Sequence, residues 1–320
     1  MPHGLLTTIT ITALTEQVPA ALAPAAPVLA IAALLAGCAV APPGTTGTGR
    51  LEVAASINAW GSILAQLGGV RTHETSIISN PNTDPHDYEP TPADARVIAQ
   101  SRVFTQNGIG YDAWAARALA ASPDSSRQVV TVGAVTGVPA GGNPHRWYSP
   151  TDVERVADAM TAALTKADPR DAGYFADRRR AFDTTDLARY HQLIADIRAR
   201  YAGTPIGASE SIVTPLADAL GLHLVTPAAF LQAISEGSDP SAADKATIDR
   251  QIATHAVAVY VFNSQNGTPD VSTQVAAARA AGIPVVAVTE TLSPATATFQ
   301  DWQVAQLTAL QAALQQATGR

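Results

Sequence analysis

Two histidines stand in nearly the same local phrase: Asp84-Pro85-His86-Asp87-Tyr88 and Asn143-Pro144-His145-Arg146-Trp147-Tyr148. In each, a proline stiffens the approach to the imidazole and an aromatic residue follows two positions later. Helix-start chemistry comes next, as Thr91-Pro92-Ala93-Asp94 and Ser149-Pro150-Thr151-Asp152. Two imidazoles on stiff loops ahead of two helices suit a preformed metal site. The alternative is a pair of loop histidines bonded to backbone, which the repetition of the phrase disfavours.

The elements that must carry these loops alternate between strand-like and helical patterns, as in a parallel α/β architecture. Strands are expected at residues 51–56, 75–79, 102–106 and 128–132. Helices are expected at 59–67, from Pro92, at 112–121 and from Pro150 to about Lys166. Residues 171–201 hold no proline, and Leu187, Tyr190, Leu193, Ile194, Ile197 and Tyr201 follow helical spacing. A helix of that length spans roughly 45 Å, more than one small sheet needs, so it can run along both halves of the molecule. A second α/β half follows, with strands at 205–209, 223–226, 257–262 and 284–289 and a closing helix at 302–318. Gly221 and Gly282 are placed as helix stops.

On this map Glu210 directly follows one strand and Glu290 another, while His86 and His145 lie in loops after strands of the first half. Ligands of open α/β sheets bind beyond the carboxyl ends of the strands. Facing the halves across a cleft therefore converges two imidazoles and two carboxylates, a donor set that suits Zn, Mn or Fe(II). Each glutamate has an alternative as a helix N-terminal charge. Asp270 after Thr268-Pro269 is read as such a charge, and His73, His191, His223 and His255 as structural residues without partners.

The segments Val53-Ala54-Ala55-Ser56-Ile57-Asn58-Ala59-Trp60-Gly61 and Asn80-Pro81-Asn82-Thr83-Asp84-Pro85-His86-Asp87-Tyr88-Glu89-Pro90-Thr91-Pro92, then the His145 phrase, Ser209-Glu210 and Thr289-Glu290-Thr291, bring a family into view. From about residue 51 to its end, the chain resembles the zinc/manganese substrate-binding proteins of bacterial ABC importers. The resemblance implies an α/β fold of two parallel-sheet lobes joined by one long rigid helix, with a metal cleft between the lobes. It implies His86, His145, Glu210 and Glu290 as ligands of one divalent transition metal ion, Zn or Mn, carried as cargo to an ABC permease. Glu210 looks like the manganese-type third ligand, and Glu290 stands where the family usually has Asp. Adjacency alone suggests that Asp87, Tyr88, Trp147 and Tyr148 surround the ligands, as an acceptor for an imidazole N–H and an aromatic wall against water.

Cys38 is the only cysteine, in Leu35-Ala36-Gly37-Cys38, after an apolar run from Val28 to Ala36 that is too short to span a bilayer. That phrase matches the bacterial lipobox, although no Lys or Arg precedes Arg50. The alternative is a buried cysteine in an Ala-rich helix. Together these features place a lipoprotein signal peptide at 1–38, a flexible linker at 39–50, a first lobe at 51–168, a linking helix at 169–202 and a second lobe at 203–320. Localisation is expected to be extracytoplasmic, through a lipid anchor on the membrane, with the protein monomeric. At 320 residues the chain is long enough for two cores, and its net charge of −7 argues against nucleic acid as a partner.

An enzyme is not expected. A metallohydrolase using the same His/Glu site is one alternative, but two histidines and two carboxylates fill the coordination shell, and no base-bearing His-Glu-x-x-His motif is present. A surface-binding lipoprotein without metal is another.

Overall fold

The computed structural model describes residues 49–320; Cys38, the signal-peptide segment and nearly all of the linker lie outside the described residues. The first half runs β1 (Leu51–Ile57), α1 (Asn58–Gly68), β2 (Thr72–Ile78), α2 (Pro92–Gln100), β3 (Val103–Gln106), α3 (Ala113–Ala121), β4 (Gln128–Thr131), α4 (Val132–Thr136) and α5 (Pro150–Ala167). Then come α6 (Ala172–Ala181), a π-helical turn (Phe182–Asp186) and α7 (Ala188–Tyr201). The second half holds β5 (Pro205–Ala208), α8 (Thr214–Leu220), β6 (His223–Leu224), α9 (Ala228–Ser235), α10 (Ala242–Ala253), β7 (Val259–Asn263), α11 (Pro269–Ala280), β8 (Val285–Val288) and α12 (Phe299–Thr318).

Each half builds a four-stranded, all-parallel sheet, and the two orders repeat one another: β2-β1-β3-β4 and β6-β5-β7-β8. In both, the order reverses beside the first strand of the half, which opens a crevice at the carboxyl ends. The helices that frame the histidine loops start as their residues dictate. Thr91 caps α2 and exchanges hydrogen bonds with Asp94 in a capping box, and Ser149 caps α5 through the Asp152 amide. Prolines occupy the first turn of both helices, where a missing N–H costs nothing.

The expected helix over 171–201 is not uniform. The Leu187 amide donates to the Phe182 carbonyl five residues back, at 2.9 Å, so a π turn interrupts the α spacing. The expectation of two separate cores also changes. One apolar cluster runs from Val53, Trp60 and Phe104 through Phe175, Tyr190 and Ile197 to Val261, Trp302 and Leu314, spanning both sheets and the helices between them. A smaller cluster around Phe230, Ile252 and Tyr260 fills the outer face of the second sheet. The closing helix α12 packs along α7 and also reaches α1 of the first half. No helix among the described residues is long and apolar enough to cross a membrane.

Candidate metal centre

The four sequence-selected side chains meet at one point between the halves. His86 sits in a short 3-10 turn (Pro85–Asp87) after β2; the Asp84 carboxylate fixes that turn by accepting the His86 amide at 2.9 Å. His145 follows β4 at the end of a loop. Its amide and its Nδ1 both donate to the Asn143 carboxamide oxygen at 3.0 Å. With the proton held at Nδ1, Nε2 presents its lone pair to the cleft. Glu210 follows β5, and Glu290 follows β8.

His86 Nε2 lies 3.4 Å from Glu290 Oε1 and 4.0 Å from Glu210 Oε1. His145 Nε2 lies 3.6 Å from Glu210 Oε1 and 3.7 Å from Glu290 Oε2. Bonds of about 2.1 Å to a tetrahedral ion separate neighbouring donors by roughly 3.4 Å. The observed spacings therefore bracket a space of ionic size. His145, Glu210 and Glu290 are fully buried, and His86 keeps 23% of its side chain exposed. Its imidazole also lines a cavity of about 770 Å³ between the halves, bordered by Asp84, Tyr111, Asn143, Ser235 and Asn266.

Three of the donor atoms have no hydrogen-bond partner although they are buried: His86 Nε2, His145 Nε2 and Glu210 Oε1. A buried polar atom left unsatisfied costs about 1–3 kcal/mol. Three such atoms facing one another are explained by a cation that would satisfy them all.

The remaining carboxylate oxygens are held by residues that sequence reasoning missed. Asn263, the last residue of β7, donates through one nitrogen to Glu210 Oε2 at 3.0 Å and to Glu290 Oε1 at 2.9 Å. Tyr111 donates its hydroxyl to Glu290 Oε2 at 2.7 Å, and its ring stands 5.2 Å from that of His86. Burial and the Glu290 charge push the Tyr111 phenol well above its ordinary value, so it stays a donor. Gln265 accepts from the Glu290 and Thr291 amides at 2.6 and 3.1 Å, and donates to the Pro81 and Thr83 carbonyls ahead of His86.

The residues expected around the ligands divide. Trp147 stands against His145, its ring perpendicular at 5.5 Å. Tyr148 is buried one step away and ties the halves together by donating to the Thr289 carbonyl and to Gln306. Tyr88 donates to Asp94 and packs on Trp114, so the ring beside His86 is Tyr111 instead. The expected acceptor for an imidazole N–H was Asp87; for His145 that acceptor is Asn143, and the Asp87 side chain lies outside what the structure describes. His73 and His191, read as lacking partners, face Glu52 and Glu154 respectively. Asp270 does sit in the first turn of α11, paired with Lys245.

Charge is balanced without a metal by proton placement. Burial disfavours a charge on His86, but the Glu290 and Glu210 carboxylates outweigh it and raise its pKa to about 9. Burial and the Glu290 charge raise Glu210 to about 8. Burial also opposes ionisation of Glu290, yet His145 and His86 beside it hold its carboxyl far below the usual range. Burial keeps His145 neutral. At neutral pH the metal-free centre is thus one imidazolium, one carboxylate and two neutral groups.

Residues 53–313 match the family model described as zinc-uptake complex component A, periplasmic. The chain belongs to that family. Among curated proteins it is 28% identical over 173 residues to the manganese-binding lipoprotein MntA of Halalkalibacterium halodurans, covering 53% of this chain and 57% of that one. It thus spans little more than half the length of this relative. Among solved structures it resembles a Mn-bound mutant of a periplasmic metal-binding protein from Candidatus Liberibacter asiaticus, with a TM-score of 0.69, 19% identity, and 83% of this chain and all of that chain covered. It also resembles FpvC from Pseudomonas aeruginosa in complex with Mn2+, at a TM-score of 0.69 and 21% identity, over 84% of this chain and all of that one. At such identities these two likenesses show the fold: paired parallel sheets with flanking helices.

Proposed function

We propose that this family member captures one divalent transition metal ion, Mn or Zn, outside the membrane and hands it to an ABC-type permease. His86, His145, Glu210 and Glu290 are the ligands. The observation that carries this reading is the set of three buried, unpartnered donor atoms facing one another beside Glu290. The name of the curated relative, a manganese-binding lipoprotein, supports the class of cargo.

A protein that must release its ion needs a route out, and His86 supplies one. It is the only one of the four ligands with exposed surface, and it borders the cleft. The imidazoles and carboxylates fill the coordination shell, which favours binding over hydrolysis, since catalytic centres keep an open position and a nearby base. A carboxylate as third ligand, in place of a third imidazole, favours the harder ion. Attachment through Cys38, a monomeric state and lobes at 51–168 and 203–320 joined across 169–202 complete the proposal.

The deciding experiment is thermal unfolding of chelator-treated protein with and without one equivalent of Mn(II) or Zn(II). Binding to the native state alone raises the midpoint by mass action. We expect a clear rise with at least one of them; no response to any first-row divalent ion overturns the reading. Metal-dependent turnover of ester or peptide substrates would favour a hydrolase instead.

A further inference from the structure

A second group of metal-ligating side chains lies outside the cleft, where α5 meets the π turn: Glu154, Asp183 and His191. Their donor atoms all lie within 4.8 Å of one another, and His191 Nε2 is 3.4 Å from Glu154 Oε1, the same spacing as His86 to Glu290 in the cleft.

Two features set this trio apart from an ordinary charged surface. First, His191 Nε2 is buried yet has no hydrogen-bond partner. Second, the three arginines just ahead of the turn are engaged elsewhere: Arg178 with Asp186, Arg179 with Asp158 and Arg180 with Asp177. In a segment that pairs three other carboxylates with arginine, Asp183 makes no hydrogen bond or ion pair among the described residues, and the ion-pair partner of Glu154 there is His191.

The π turn accounts for the convergence. Residues eight apart in a regular α-helix stand roughly 80° apart around the axis. A π turn absorbs one extra residue, which cuts that offset to roughly 20° and brings Asp183 and His191 onto one face. Glu154 completes the face from α5.

We infer that Glu154, Asp183 and His191 form a second site for a divalent transition ion, with one imidazole nitrogen, carboxylate oxygens and water as ligands. The donor set matches Mn or Zn. All three side chains are half-exposed, and only three ligands come from the protein, so this site is weaker and faster to exchange than the cleft. It does not depend on the cleft ligands.

Mn(II) titration of the chelator-treated full chain, with free Mn(II) read by electron paramagnetic resonance, tests it. The parent is expected to bind two equivalents, one tight and one weak. His191→Ala and Asp183→Asn should each lose the weak equivalent and keep the tight one, with unchanged circular dichroism. His145→Ala should lose the tight equivalent and keep the weak one. A parent that shows no weak equivalent overturns the inference. So does a second equivalent that survives in both His191→Ala and Asp183→Asn, which would mark scattered surface binding. Loss of the tight equivalent alone from the parent would count against the proposed cargo site and leave this one standing.

Discussion

Tyr111 and Glu290 lie 179 positions apart and meet in a 2.7 Å hydrogen bond inside the protein. The bond crosses from the loop after β3 to the loop after β8, and it fixes the carboxylate oxygen that faces His145. Removing a group that orients a metal ligand typically costs 10–100-fold in metal affinity. Tyr111→Phe keeps the ring against His86 and deletes only the hydroxyl. We expect its metal dissociation constant to rise about 10-fold or more by competition with a chelator, with little change in the metal-free melting temperature. Equal affinity in parent and variant would show that Asn263 and packing alone hold Glu290.

Proton placement predicts how the centre responds to pH. Ligation requires neutral imidazole and ionised carboxylate, but metal-free His86 and Glu210 hold protons up to about pH 9 and 8. Below pH 8, binding should therefore release up to about two protons per ion, measurable by calorimetry in buffers of different ionisation enthalpy. Stability of the metal-free protein runs the other way. Both groups have pKa values raised above their unfolded values of 6.5 and 4.5. Their folded states hold protons that the unfolded chain has shed. His145, kept neutral by burial, works the other way below 6.5, so stability falls as pH rises from about 6.5 toward 9. The gap between metal-free and metal-loaded melting temperatures should widen from pH 6 to pH 9; a gap that narrows would refute the protonated starting state.

Much of this centre is written locally in the chain. The two Pro-His phrases are short-range signals, because the stiff turn and the helix cap that position each imidazole come from its immediate neighbours. The proposed ligands Glu210 and Glu290 follow from the rule that binding sites gather at strand ends. The same rule reaches Asn263, the final residue of β7, whose carboxamide holds the Glu210 carboxylate. Tyr111 and Gln265 carry no comparable mark: their roles are single hydrogen bonds to residues far away in sequence, and no periodicity encodes those. The π turn left one trace. Phe182 and Leu187 are both fully buried but five residues apart, where a regular α stripe steps by three or four.

Glu74 offers a stability prediction away from the centre. It lies on β2 against α1, where Gly61 leaves room for its carboxyl beside Ser76; a methyl at Gly61 would collide with both side chains. Burial raises its pKa to about 7, against the opposing pull of the Ser76 hydroxyl, at 2.8 Å, and of His73. The unfolded chain loses this proton near 4.5, so stability falls as pH rises from there through 7, and the full cost is present above 7. Glu74→Gln removes the cost and can still accept from Ser76. Allowing for partial exposure, we expect a gain of roughly 1–2 kcal/mol at pH 8 and almost none at pH 4.5, read from urea midpoints. A variant no more stable than the parent at pH 8 would mean that Glu74 turns out to water.

The amplitude of opening follows from how the halves are joined. A hinge closes widely when few contacts cross it, and here many do. Gln265 clamps the His86 loop to the Glu290 backbone, Asn143 donates to the Ser211 carbonyl at 2.6 Å, and Asn58 accepts from the Leu292 amide at 3.1 Å. The apolar core passes without a break through α6 and α7 into both sheets. Tearing these apart to release one ion would expose buried backbone carbonyls and apolar area together. Release is therefore expected through a local movement of the His86 loop, the part of the centre that already touches the cleft and is anchored to the second half through Gln265. Scattering curves with and without metal should nearly superimpose. Gln265→Ala should speed metal dissociation several-fold while leaving those curves unchanged, because it frees the loop and not the halves. A large compaction on metal binding, or a dissociation rate indifferent to Gln265, would place the motion in the linking helices instead.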